Sequence, residues 1–114
     1  MGYKDFELSE TKIKEFERYS AKWTEQQKAN YLDGLRADYW VEENCVRDKE
    51  NSWSEKRWNC YHVGSIRWVM KDGSPLSDDA IEAIKIMDHG QKNQFTVSED
   101  GMYIDHYWEC DSGD

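Results

Sequence analysis

Residues 95–107, FTVSEDGMYIDHY, set two alternating apolar and polar runs on either side of Asp100-Gly101. Alternation is the period of a β-strand, and Asp-Gly readily takes the positive φ angles of a two-residue type I′ hairpin. That turn pairs Glu99 with Met102, Val97 with Ile104 and Phe95 with His106 on one side of the ribbon. Thr96, Ser98, Tyr103, Asp105 and Tyr107 fall on the other. A lone hairpin with one apolar face is barely stable in water. The rest of the chain must therefore supply further strands and a layer that covers Phe95, Val97 and Ile104.

A second alternating run supplies the strand. Trp58, Cys60, His62, Gly64, Ile66, Trp68 and Met70 occupy even positions, while Asn59, Ser65, Arg67 and Lys71 occupy odd ones. This predicts a long central strand with its even face inward, ended by KDGSP. Gly64 in mid-run marks a bulge or a division into two strands. The polar segment 46–57, VRDKENSWSEKR, reads as a connection in which Ser52 and Glu55 can cap a short helical turn.

The covering layer is helical. Ser9 is an N-cap with Leu8 and Ile13 as a hydrophobic staple, followed by Ile13, Phe16, Tyr19 and Trp23 at helical spacing. Thr24 and Gln27 form a capping box ahead of Tyr31, Leu32, Leu35 and Tyr39. The two apolar stripes are out of phase, so the helix breaks between Tyr19 and Thr24 and the second runs toward Val41. Ser77 caps a third helix, with Leu76 and Ile81 as staple, Asp78 and Asp79 at its positive end, and Gly90 as its stop. Its wide apolar arc is Ala80, Ile81, Ala83, Ile84, Ile86 and Met87.

The expected architecture is an α+β domain: a small, largely antiparallel sheet, made of a long central strand plus the C-terminal hairpin, packed against about three helices. Its 114 residues suit one compact domain over residues 1–114, with a short acidic tail at about 109–114. With six Trp and seven Tyr, large rings must supply much of the core. No apolar run approaches the roughly 20 residues of a membrane span. The N-terminus lacks the features of a secretory signal, and Glu7 stands where a myristoylation signal wants Ser or Thr. Three cysteines fit a reducing compartment. The expectation is a cytoplasmic protein, in the host cytoplasm if phage-encoded.

Net charge is −9, and residues 93–114 hold six acids and no base. Direct binding to nucleic acid, which rests on neutralising phosphates with Lys and Arg, is disfavoured. The expected binding face is the acidic, aromatic one of the hairpin: Glu99, Asp100, Tyr103, Asp105, Tyr107, Glu109 and Asp111. Rings supply burial there, while carboxylates steer a basic protein surface and pair with its arginines. Phage anti-defence inhibitors, DNA mimics and toxin-immunity proteins share this physical profile, as a comparison of composition. The partner expected is a basic, nucleic-acid-handling protein.

The alternative is a metal site. Cys60, His62, His106 and Cys110 form a donor set suited to tetrahedral zinc, in a zinc-stabilised domain or a metal-dependent enzyme. Cys45 and Cys60 are the candidate nucleophiles, and neither sits in a catalytic sequence context. There is no phosphate-binding glycine loop, His-Glu-x-x-His or calcium loop, so catalysis and a cofactor are not expected.

Overall fold

In the computed structural model, residues 2–58, 60–87 and 92–111 are described. They form three α-helices and a five-stranded antiparallel sheet. α1 spans Glu10–Tyr19, and the Ser9 hydroxyl accepts the Lys12 N–H at 3.2 Å. The chain breaks where expected, with the Ser20 hydroxyl donating to the Phe16 carbonyl at 2.7 Å. α2 spans Glu25–Asn44 behind a complete capping box. Thr24 Oγ1 accepts the Gln27 N–H at 3.2 Å, and Gln27 Oε1 accepts the Thr24 N–H at 2.9 Å. α3 spans Asp78–Ile86, capped by Ser77. Its expected stop, Gly90, lies outside the described residues.

The strands are β1 (Cys45–Arg47), β2 (Trp53–Trp58), β3 (Tyr61–Met70), β4 (Lys92–Val97) and β5 (Tyr103–Asp111). Their order is β1-β3-β5-β4, and β2 shares an edge of β3 with β1. Segment 46–57 is thus not a plain connection. It is an edge strand interrupted by a short 3-10 turn at Lys49–Asn51. Asp48 N–H bonds to the Arg67 carbonyl at 2.8 Å, and Arg67 N–H bonds to Ser52 Oγ at 2.9 Å, so the interruption leaves β3's edge satisfied.

Two further expectations need correction at the central strand. Trp58 belongs to β2, which bulges between Lys56 and Trp58, and β3 starts only at Tyr61. Gly64 neither bulges nor divides β3. A Cβ there would lie 2.7 and 2.8 Å from the benzo ring of Trp108 and 2.8 Å from the Trp53 carbonyl, so glycine lets the indole lie across the strand.

The hairpin has the expected register, with Val97 opposite Ile104 and Phe95 opposite His106, but a longer turn. The strands close at Ser98 and Tyr103, and residues 99–102 form the loop, with Gly101 at φ 72°. Asp100 holds this loop. Its Oδ1 accepts the Ser98 hydroxyl at 2.7 Å and the Met102 N–H at 3.0 Å. These bonds favour the ionised carboxylate and lower its pKa.

The core lies between the helices and one face of the sheet. Ala37, Trp40 and Val41 of α2 meet Ala80, Ala83 and Ile84 of α3, over Cys45 of β1 and Ile104 of β5. Three alanines at this contact let the helix backbones approach closely. Ile84 and Ile104 are wholly buried, each contributing roughly 1.5–3 kcal/mol. Trp68, Met70 and Phe95 pack at the margin, as their parity predicts. Tyr3 joins the same core, its hydroxyl donating to Glu82 of α3 at 3.2 Å.

A second, smaller cluster sits where α1 folds back on the start of α2. Phe16 stacks on Tyr31 at 5.4 Å, and Trp23 meets both edge-on. Tyr19 of this cluster remains 70% exposed.

Candidate functional site

The core takes one face of the sheet, and no described helix belongs to a core on the other. That outer face is built by cross-strand rows. Arg67 pairs with Asp105 and then Thr96, and Val69 pairs with Tyr103. The next rows are Trp53–Ser65–Tyr107–Gln94 and Glu55–Val63–Glu109–Lys92. Trp58–Tyr61–Asp111 comes last. Tyr103, Asp105, Tyr107, Glu109 and Asp111, expected as binding residues, share this face because they alternate along one strand. Glu109 and Asp111 lie within β5.

Two features divide the expected site. Glu99 and Asp100 lie in the hairpin loop, whereas Glu109 and Asp111 lie at the far end of β5, roughly 25 Å away at strand rise. Asp105, between them, is already engaged. Arg67 Nε and Nη2 reach its two carboxylate oxygens at 2.8 and 3.0 Å, and the same guanidinium lies 3.7 Å from the centroid of Tyr103. The paired carboxylate keeps Arg67 protonated and raises its pKa. This end of the face is an internal arginine clamp.

The other end is aromatic. Trp53 approaches Tyr107 at 6.4 Å, and Trp58 stacks on Tyr61 at 4.8 Å with a 4° interplanar angle. Trp53 is 47% exposed and Trp58 62%. Val63 on the same face is wholly buried. Sequence reasoning missed Trp53, Trp58, Tyr61 and Val63.

No family model, curated protein or solved structure matches this chain. Its site is therefore read from its own geometry. Of the four residues proposed for zinc, His62, His106 and Cys110 share the helix-facing side of the sheet but not one level. His62 stands directly opposite Cys110, with Cys60 just before β3. His106 is four residues along β5 from Cys110, roughly 13 Å at strand rise, stacked on Phe95 and bonded to Asn93 Oδ1 at 2.7 Å. Among the described residues no three His, Cys, Asp or Glu side chains converge as a metal site.

Cys45, a candidate nucleophile, is buried with its sulfur 3.7 Å from Met70 Sδ. Burial pushes its thiol up to about 11, against the thiolate a nucleophile needs. No described helix is long and apolar enough to cross a membrane.

Proposed function

We propose that the protein is a small, non-enzymatic interaction module that binds a basic surface on another protein through the outer face of its sheet. Inhibition of a nucleic-acid-handling protein, in the manner of phage anti-defence inhibitors, DNA mimics and immunity proteins, is the form of this activity its composition fits. The observation that carries the reading is the open sheet face, where Trp53, Trp58, Tyr61 and Tyr107 adjoin Glu109 and Asp111. Exposed rings that adjoin carboxylates supply both burial and steering toward Lys and Arg. The net charge of −9 adds a long-range attraction to such a surface and repels nucleic acid itself.

Affinity purification from the native cell at low and high salt identifies the partner, and stopped-flow mixing then measures association. The double variant Glu109→Gln/Asp111→Asn should slow association by about tenfold at low ionic strength, with little change in dissociation. A partner whose association rate ignores both salt and these substitutions would overturn the reading.

A further inference from the structure

The outer face of β5 repeats one arrangement twice, and among the described residues only the first copy holds a cation. In the first, Tyr103 and Asp105 hold Arg67, with the guanidinium over the ring and its edge bidentate on the carboxylate. Four residues on, Tyr107 and Glu109 present the same ring and acid on the same strand, face and spacing. The position on β3 that matches Arg67 is Val63, and the residue facing Tyr107 is Ser65. Neither can supply a cation. The nearby Arg57 is drawn to Glu55 at 3.2 Å, and Glu109 makes no ion pair among the described residues, although Lys92 stands opposite it on β4.

Resting on the reading of this face as the docking face, we infer that Tyr107 and Glu109 form an arginine cradle for a side chain of the partner protein. The incoming guanidinium lies over the Tyr107 ring, with Trp53 beside it, and its N–H edge meets the Glu109 carboxylate. Arginine is the fitting occupant rather than lysine. Its planar fork bonds a carboxylate bidentately while its face stacks on an aromatic ring, and an ammonium does neither. Arg67 shows both contacts made at once on the neighbouring copy.

The test uses the intact chain and two labelled peptides of equal charge, octa-arginine and octa-lysine, titrated by fluorescence anisotropy at low ionic strength. Octa-arginine should bind about fivefold more tightly than octa-lysine, the size of one cation–π contact. Glu109→Gln and Tyr107→Leu should each abolish that preference, while Tyr107→Phe, which keeps the ring and the fold, should retain it. Glu43→Gln, the same charge change on α2, should leave the preference intact. Equal binding of both peptides, or a preference that survives Glu109→Gln, would overturn the cradle and leave the basic-partner reading standing. Absence of binding by either peptide would overturn both.

Discussion

Gly64→Ala tests the packing that places Trp108. An added Cβ would meet two atoms of the indole at 2.7 and 2.8 Å and the Trp53 carbonyl at 2.8 Å, where ordinary contacts are about 3.5 Å or longer. Either the indole shifts by about 0.7 Å or β2 and β3 part. Overpacking of this kind costs roughly 1–3 kcal/mol. Alanine recovers about 0.5–1 kcal/mol through the lower backbone entropy of the unfolded chain. Because one of the three contacts is a backbone oxygen that no side-chain shift relieves, the cost lies at the upper end, about 2–3 kcal/mol, and the expected net loss is about 1–2.5 kcal/mol, read as a lower urea midpoint by far-UV circular dichroism, with a drop of roughly 0.5–1.5 M for a domain of this size. In a Trp108→Ala background the ring contacts are gone and only the carbonyl remains. There, the same substitution should cost at least about 0.5 kcal/mol less. A Gly64→Ala protein as stable as its parent, or equally penalised in both backgrounds, would refute the close approach of ring and strand.

Alkaline pH should destabilise the fold through two buried acids. Burial pushes the Cys45 thiol from 9.0 to about 11 and, together with Glu82 and other neighbouring carboxylates, the Tyr3 phenol from 10.0 to about 12. In both cases the folded state holds the proton longer than the unfolded one. Cys45's contribution is whole below pH 9 and lost between pH 9 and 11, and Tyr3's is lost between pH 10 and 12. The Cys45 slope approaches about 1.4 kcal/mol per pH unit within its window. Urea titrations of parent and Cys45→Ala across pH 8–11 should diverge in that slope, and parallel curves would contradict it. At the hairpin, Gly101→Ala must hold φ 72° with a side chain, at about 1–2 kcal/mol. The thermal midpoint should drop by several degrees, and Gly101→Asn should recover most of the loss. An unchanged midpoint for the alanine variant would argue against the left-handed turn.

What the sequence disclosed followed the range of the signal. Caps act within four residues, and Ser9, Thr24 with Gln27, and Ser77 all hold their helix starts as expected. The hairpin register followed from alternation plus Asp100-Gly101, although the turn proved two residues longer. β2 was illegible because all six of its residues are exposed at a sheet edge, so burial imposes no pattern on them. β1 was hidden because Cys45 still donates its N–H to Val41 of α2 while its backbone is already extended.

At the site, parity placed Arg67 and Asp105 on the polar faces of their own strands. Only the register of β3 against β5 sets them opposite each other. The same limit applies to Cys60, His62, His106 and Cys110: parity gives a common face, whereas level along the strands is set by register, which puts His62 opposite Cys110 and His106 four residues away. Tyr3 carried no pattern at all, being one ring in a polar segment, yet it lies in the core.

The division of apolar contacts into two clusters has a consequence for how the molecule comes apart. Phe16, Trp23 and Tyr31 lie outside the group that joins α2, α3 and the sheet, and α2 is the element common to both. α1 can therefore detach and melt, exposing the first turns of α2, while Trp40, Val41 and Ile84 stay sealed against Ile104. Because Tyr3 holds the chain before α1 in that same core, α1 would open as a loop fixed at both ends rather than as a free arm, at a smaller free energy than the core itself.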